Sequence, residues 1–279
     1  MAVSQIPKHL KYVSVLFLIL LGAVPVAVRF WVGESQSGSD LFALSTAVCC
    51  GISILSAIPI GRRLKPTLPV GLPSVTFSAS VCGFVMVTVV VMTAYYSYFA
   101  PAKEQVVDVN PSIALLVELF ALGCAVYFLL MASWMALSER KALALFLALL
   151  PVLFCAFRIL NDFIDHSTMP LADHGGYRIL GIIATMLFFL REAKLRTGKG
   201  GATLYFVLGQ VTVILLAAYN VPLLWEFLHG EATVTEVLYA MLSAAFIIYI
   251  FTRIFSLEVK PKEEAPAPVK KRASVPVYF

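Results

Sequence analysis

Apolar runs of about twenty residues recur along the whole chain and limit its fold more than any other feature. A helix needs ~20 mainly apolar residues to cross a membrane, because the hydrocarbon layer is about 30 Å thick. Of the 279 residues, 60% are hydrophobic and only 13% are charged, whereas soluble domains usually carry about 25% charged residues. Strands of a membrane barrel would alternate apolar and polar residues, and these runs do not. The pattern predicts an all-α integral membrane bundle.

Eight such runs predict one transmembrane domain over residues 1–256. The sixth run is the weakest, because its apolar part, Tyr177–Leu190, forms only about 21 Å of helix unless it starts near Pro170. Residues 257–279 are rich in Pro, Lys and Glu, and we expect them to form a disordered basic cytoplasmic tail. The predicted spans are 12–28, 41–60, 75–99, 113–137, 142–164, 171–190, 202–224 and 234–255.

The distribution of basic residues predicts the orientation. With eight crossings and the N-terminus inside, the inner side, including both terminal segments, holds 17 of the 21 basic residues. Cytoplasmic loops of membrane proteins carry such an excess, so we expect both termini in the cytoplasm and the chain in the cell (inner) membrane. Omitting the sixth crossing would place the basic stretch 191–199 outside, which disfavours a seven-span count.

A polar stripe lies near the outer end of the fifth span. At about 100° per residue, Arg158, Asn161, Asp162 and Asp165 share one helix face, and Arg158 can pair with Asp162 at i, i+4. Such a stripe is expected to face the bundle or a water-filled pocket rather than lipid. Glu118 lies at the same predicted depth in the fourth span, which a short inner turn makes an antiparallel neighbour of the fifth. We therefore predict an ion pair between Glu118 and Arg158.

This polar cluster has two interpretations, and the sequence leaves both open. It either locks helices together or forms one wall of an outward-facing ligand site. Three residues at outer ends of later spans are further candidate contributors to such a site: Arg178, Glu226 and Tyr239.

No metal, cofactor or catalytic motif is visible. His166, His174 and His229 accompany outer carboxylates and suit a divalent ion, but no H-E-x-x-H spacing fixes their geometry. The turn Gly198–Gly201 lacks the spacing of a phosphate-binding loop. The five cysteines all lie in apolar runs, which is typical of small buried hydrophobic residues. We predict no metal site, no cofactor and no enzymatic activity.

The stretch from Phe157 to Leu195 carries Arg158 before Asn-Asp-Phe-Ile, followed later by Phe-Phe-Leu-Arg-Glu-Ala-Lys at 188–194. In these residues, about a seventh of the chain, it resembles uncharacterised bacterial multi-pass inner-membrane proteins. The resemblance implies a bacterial inner-membrane setting and no particular activity.

Three classes of function remain open. A transporter or membrane-embedded ligand-binding subunit with an outward-facing polar cavity is marginally favoured, because ionisable residues inside a membrane usually mark functional sites. A sensory, scaffolding or assembly protein and a metal-dependent intramembrane hydrolase are the alternatives. The expected partners are the lipid bilayer, anionic headgroups at the inner face and at Lys270-Lys271-Arg272, and a protein partner for the tail. No nucleic-acid partner is expected.

Overall fold

A computed structural model of the chain describes residues 8–32, 36–69, 72–99, 110–133, 141–167, 175–230 and 233–258. All regular structure within these ranges is α-helical. The helices that they contain are α1 (Lys8–Val32), α2 (Gln36–Gly61), α3 (Pro73–Tyr98), α4 (Pro111–Ala132), α5 (Lys141–Ala148), α6 (Leu150–Ser167), α7 (Gly175–Arg196), α8 (Ala202–Leu228) and α9 (Val234–Ser256).

Seven segments of this described part are long and apolar enough to cross a membrane. They fall in α1, α2, α3, α4, the pair α5–α6, α8 and α9. The predicted all-α membrane bundle is confirmed at this level, and the chain is a multi-pass membrane protein in contact with the lipid bilayer. The remaining long helix, α7, has 22 residues. It carries more charged residues than any of the seven segments.

The fifth predicted span, 142–164, is divided into α5 and α6. Leu149 forms the break, and its N–H bonds to Phe146 O at 3.1 Å in a tightened turn. Pro151 lies two residues after Leu149. A proline lacks the N–H that a continuous helix needs and crowds the carbonyl four residues earlier. The break therefore has a local cause in the sequence.

Six helices form a ring. In cyclic order α3, α4, α6, α7, α8 and α9 each contact the next, while α1 and α2 pair with each other and pack against α8 from outside. The predicted adjacency of the fourth and fifth spans is confirmed by the contact between α4 and α6. Only 22% of the α1 window is buried, against 61% of the α8 window, so α1 presents most of its surface to lipid.

Helix α7 runs the full distance between the two ends of this ring. Its first turns carry Arg178, which pairs with Asp162 on α6. Its last turns carry Glu192, which pairs with Arg253 near the end of α9. We call these two levels the Asp162 end and the Glu192 end. Since 22 residues give about 33 Å of helix, α7 is as long as a membrane span, and it continues past the predicted end at Leu190.

The first residues of the predicted tail are packed rather than extended into solvent. Leu257 is buried, as is Leu64 in the connection after α2. Lys65 N–H donates to Glu258 O at 2.8 Å, and Lys65 Nζ lies 3.0 Å from Glu258 Oε2. The ordered bundle thus extends to residue 258, and the rest of the predicted tail lies outside the described residues.

Candidate functional site

A cavity lies between α6, α7, α8 and α9. Polar side chains line it toward the Asp162 end: Arg158, Arg178, Tyr219, Asn220, Tyr239 and Ser243. Apolar side chains line its deeper part: Phe154, Ile182, Leu215, Leu216, Leu242 and Phe246.

Asp162 holds two guanidinium groups at the polar end of this cavity. Its Oδ1 lies 2.9 Å from Arg158 Nη2, the predicted i, i+4 partner, and its Oδ2 lies 3.2 Å from Arg178 Nε. The Asp162 side chain is 0% exposed. Because Arg178 belongs to α7, this carboxylate joins α6 to α7 and fixes the position of both cations.

Tyrosines on α8 and α9 complete the polar end. The Arg158 guanidinium lies over the Tyr239 ring, 3.4 Å from its centroid, a cation–π contact that is worth more where water is excluded. The Tyr219 hydroxyl lies within hydrogen-bonding reach of Arg178. Ser243, one turn from Tyr239, also lines the cavity. Two of the three further candidates, Arg178 and Tyr239, therefore lie with the stripe.

The polar stripe faces the interior of the bundle, as its spacing predicts. Arg158, Asn161 and Asp162 are 8%, 4% and 0% exposed. Asp165 belongs to α6, but its side chain lies outside the described part. Glu118 is half-buried on α4, and its ion pair with Arg158 stays a prediction; Arg158 pairs with Asp162.

The third further candidate, Glu226, lines a neighbouring pocket. Its Oε1 lies 3.7 Å from Arg29 Nη2, so this ion pair ties α8 to α1. Glu236 and Tyr219 also line the second pocket, and Tyr219 borders the main cavity as well. Glu226 thus contributes to the same end of the bundle but not to the wall of the main cavity.

Asn220 brings an unsatisfied hydrogen-bond acceptor to the main cavity. Its Nδ2 donates to Leu216 O at 2.6 Å. A carbonyl oxygen can only accept, so this contact fixes which amide atom is the nitrogen. The Oδ1 atom is buried and has no hydrogen-bond donor among the described residues. Buried polar atoms in proteins are nearly always paired. A bound molecule with a hydrogen-bond donor would satisfy this oxygen.

A second charged cluster, which the sequence analysis missed, is buried at the Glu192 end. Glu192 Oε1 accepts hydrogen bonds from Arg253 Nε (3.0 Å), Arg253 Nη2 (2.9 Å), Arg196 Nη2 (3.0 Å) and the Tyr249 hydroxyl (2.8 Å). Arg253 Nη1 also donates to Pro69 O at 3.1 Å. Glu192 and Arg253 are 1% and 2% exposed. The i, i+4 spacings of Glu192 with Arg196 and of Tyr249 with Arg253 were the available signals.

Aromatic packing separates the cavity from the Glu192 cluster. Phe246 lines the cavity and packs against Phe128 and Phe189, with ring centroids 6.1 and 5.6 Å away. Phe128 in turn lies 5.0 Å from Tyr249, whose hydroxyl binds Glu192. Side chains therefore fill the bundle from the cavity floor to the buried ion cluster.

No group of three or more metal-binding side chains occurs among the residues that the structure describes. The cysteines form no disulfide, and all but Cys50 are buried. Comparisons with family models, curated proteins and solved structures returned no match.

Proposed function

We propose that the protein binds a small amphipathic anion in the main cavity and carries it across the membrane. One observation supports this most strongly: the cavity has two guanidinium groups at one end and an apolar floor at the other. Guanidinium groups suit carboxylate and phosphate groups, with which they form paired hydrogen bonds. The apolar floor of the cavity suits an uncharged, apolar part of the same ligand.

The proposal includes eight crossings, with α7 as the sixth. Its length and its contacts at both ends of the ring support this count. The exposed cations Arg62, Arg63 and Lys199 lie at the Glu192 end, and the positive-inside rule then assigns that end to the cytoplasm. The Asp162 end faces outward, both termini are cytoplasmic, and the setting is a bacterial inner membrane.

Transport rather than binding alone is suggested by the asymmetry of the bundle. The main cavity lies near the Asp162 end, while aromatic side chains and the Glu192 cluster close the other end of the bundle. A carrier that alternates between two openings needs such a barrier on one side of its site. In this state the cavity belongs to the outer side. The proposal assigns no catalytic step to it.

The same ion pairs also support a second candidate, a sensory, scaffolding or assembly protein. Asp162 joins α6 to α7, and Arg158 stacks on Tyr239 of α9, contacts that would lock helices without any ligand. The two candidates differ in whether the cavity can be reached from outside and whether a bound solute crosses the membrane.

Chemical labelling of a cysteine placed in the cavity tests the proposal. In a variant without native cysteines, Ser243→Cys is expected to react with a membrane-impermeant thiol reagent added to intact cells. Ser78→Cys is the matched control, since Ser78 is buried on α3 against Thr252, away from the cavity; it should stay unlabelled. Labelling of Ser243→Cys only after permeabilisation would contradict an outward-facing cavity.

A panel of small carboxylates and phosphate monoesters then identifies ligands as the compounds that slow this labelling. Uptake of such a compound into liposomes that contain the purified protein supports transport. Protection from labelling without uptake would mean that the cavity binds the compound but does not transport it, which favours the sensory role.

A further inference from the structure

We infer that the ligand of the main cavity is an apolar α-amino acid, with a carboxylate, an adjacent N–H donor and an apolar side chain. This inference rests on the proposed function: it keeps the carboxylate at the guanidinium groups and replaces the simple anion by a zwitterion that also carries an amino group. It is carried by the placement of Asn220 beside the guanidinium end of the cavity.

The unsatisfied oxygen of Asn220 favours a ligand that can donate a hydrogen bond to it. Its amide nitrogen is already used by Leu216 O at 2.6 Å, so the amide cannot turn to present its nitrogen instead without losing that bond. Arg158 and Arg178 offer only donors, and they suit a carboxylate. The cavity wall thus presents donors and an acceptor together, which a simple fatty anion would leave half satisfied.

Asn220 lies on the side of α8 that packs near the Arg178 turn of α7. Leu216, one turn from Asn220, packs against α7 at Gly181, where an added Cβ would lie 3.2 Å from Leu216 Cδ2. Gly181 is in turn one helical turn from Arg178. The residue before Asn220, Tyr219, lies within hydrogen-bonding reach of Arg178. A carboxylate at the guanidinium end and an amino group beside it match this arrangement.

The deeper part of the cavity suits the side chain of such an amino acid. Phe154, Leu242 and Phe246 line it. Tyr239 and Phe246 are seven residues apart on α9, so the cavity extends about 10 Å along the helix axis. A branched aliphatic side chain placed there would contact apolar atoms.

Three ligands that share one isobutyl group test this inference on the full-length protein in lipid nanodiscs. L-Leucine has both groups, 4-methylpentanoate lacks the amino group, and 3-methylbutylamine lacks the carboxylate. We expect calorimetry to show binding of leucine and at least about tenfold weaker binding of each truncated compound. Equal affinity for leucine and 4-methylpentanoate would overturn the role of the donor, and no binding of leucine would overturn the class.

Two variants at position 220 make the test specific to the amide oxygen. Asn220→Leu should weaken leucine binding about tenfold and leave 4-methylpentanoate binding unchanged, because only leucine uses the acceptor. Asn220→Gln keeps both an amide donor and an amide acceptor and should weaken leucine binding less than Asn220→Leu does, which separates a lost contact from a misfolded protein. Loss of both ligands in Asn220→Leu with an unchanged melting temperature would contradict the assignment.

The two proposals fail in different ways. If another anion protects Ser243→Cys from labelling while leucine neither protects nor binds, the amino-acid inference fails and the proposed binding cavity stands. If Ser243→Cys cannot be reached from outside, the proposed function itself fails.

Discussion

A single oxygen atom, Glu192 Oε1, accepts four hydrogen bonds in the interior of the bundle. These bonds come from α7 and α9, and Arg253 extends the network to the connection before α3. Charged groups are costly to bury and are stable there only when paired. Glu192 is therefore the residue on which the closed end of the bundle depends most.

We predict that Glu192→Gln lowers the free energy of unfolding by about 3–5 kcal/mol, because it leaves the buried Arg253 and the half-buried Arg196 guanidinium groups without their carboxylate. The melting temperature of the purified protein in detergent reports the loss. Glu258→Gln is the control, since the Glu258 side chain is 61% exposed; exposed pairs are worth at most about 1 kcal/mol. Similar effects of the two variants would argue against a buried network.

At this scale the sequence predicts local pairs and misses distant ones. Arg158 and Asp162 are one turn apart, so helical spacing alone predicts their contact. Glu192 and Arg253 are separated by 61 positions, and only the packing of α7 against α9 brings them together. Asn220 was visible as a polar residue in a span, but that its oxygen is unsatisfied depends on the surrounding helices.

Helix α7 is the element for which composition is least informative. Its charges lower its hydropathy, yet Arg178 and Glu192 are paired inside the bundle, with Asp162 and Arg253. An average hydropathy treats each charge as if it faced lipid, and it therefore underestimates how well α7 can cross a membrane. Helices α3 and α9 begin and end within two residues of the predicted spans, whereas α4 ends at Ala132, five residues before the predicted end. Pro151 explains the break between α5 and α6.

The contact between α8 and α9 requires a residue without a side chain at position 209. A Cβ on Gly209 would overlap with Ile254 Cγ2 and lie 3.2 Å from a Phe188 ring carbon. We predict that Gly209→Ala lowers the free energy of unfolding by about 1–3 kcal/mol through overpacking, measured from thermal melting in detergent.

Two further variants check the cause of this loss. Gly22→Ala should be neutral or slightly stabilising, since nothing lies within 4 Å of a Cβ at Gly22 and alanine favours a helix by about 1 kcal/mol. Combining Gly209→Ala with Ile254→Ala should cost less than the sum of the two single changes. Full additivity would mean that the overlap is not the reason.

At the scale of the molecule, the described residues form a six-helix ring with two charged levels, and α1 and α2 lie beside it as a peripheral pair. The cavity lies at the Asp162 level and the barrier at the Glu192 level, and the proposed direction of access follows from which level faces outward. Composition and basic residues predict a membrane bundle and its orientation. They do not predict the ring, because neighbours such as α3 and α9 are far apart in sequence.

The crossing of α7 is the point on which this account depends, and two-sided cysteine labelling measures it. In a variant without native cysteines, we predict that Arg63→Cys and Thr197→Cys react with an impermeant thiol reagent only after permeabilisation. His229→Cys should react in intact cells. Labelling of Thr197→Cys in intact cells, with Arg63→Cys still protected, would place the end of α7 outside and contradict the account.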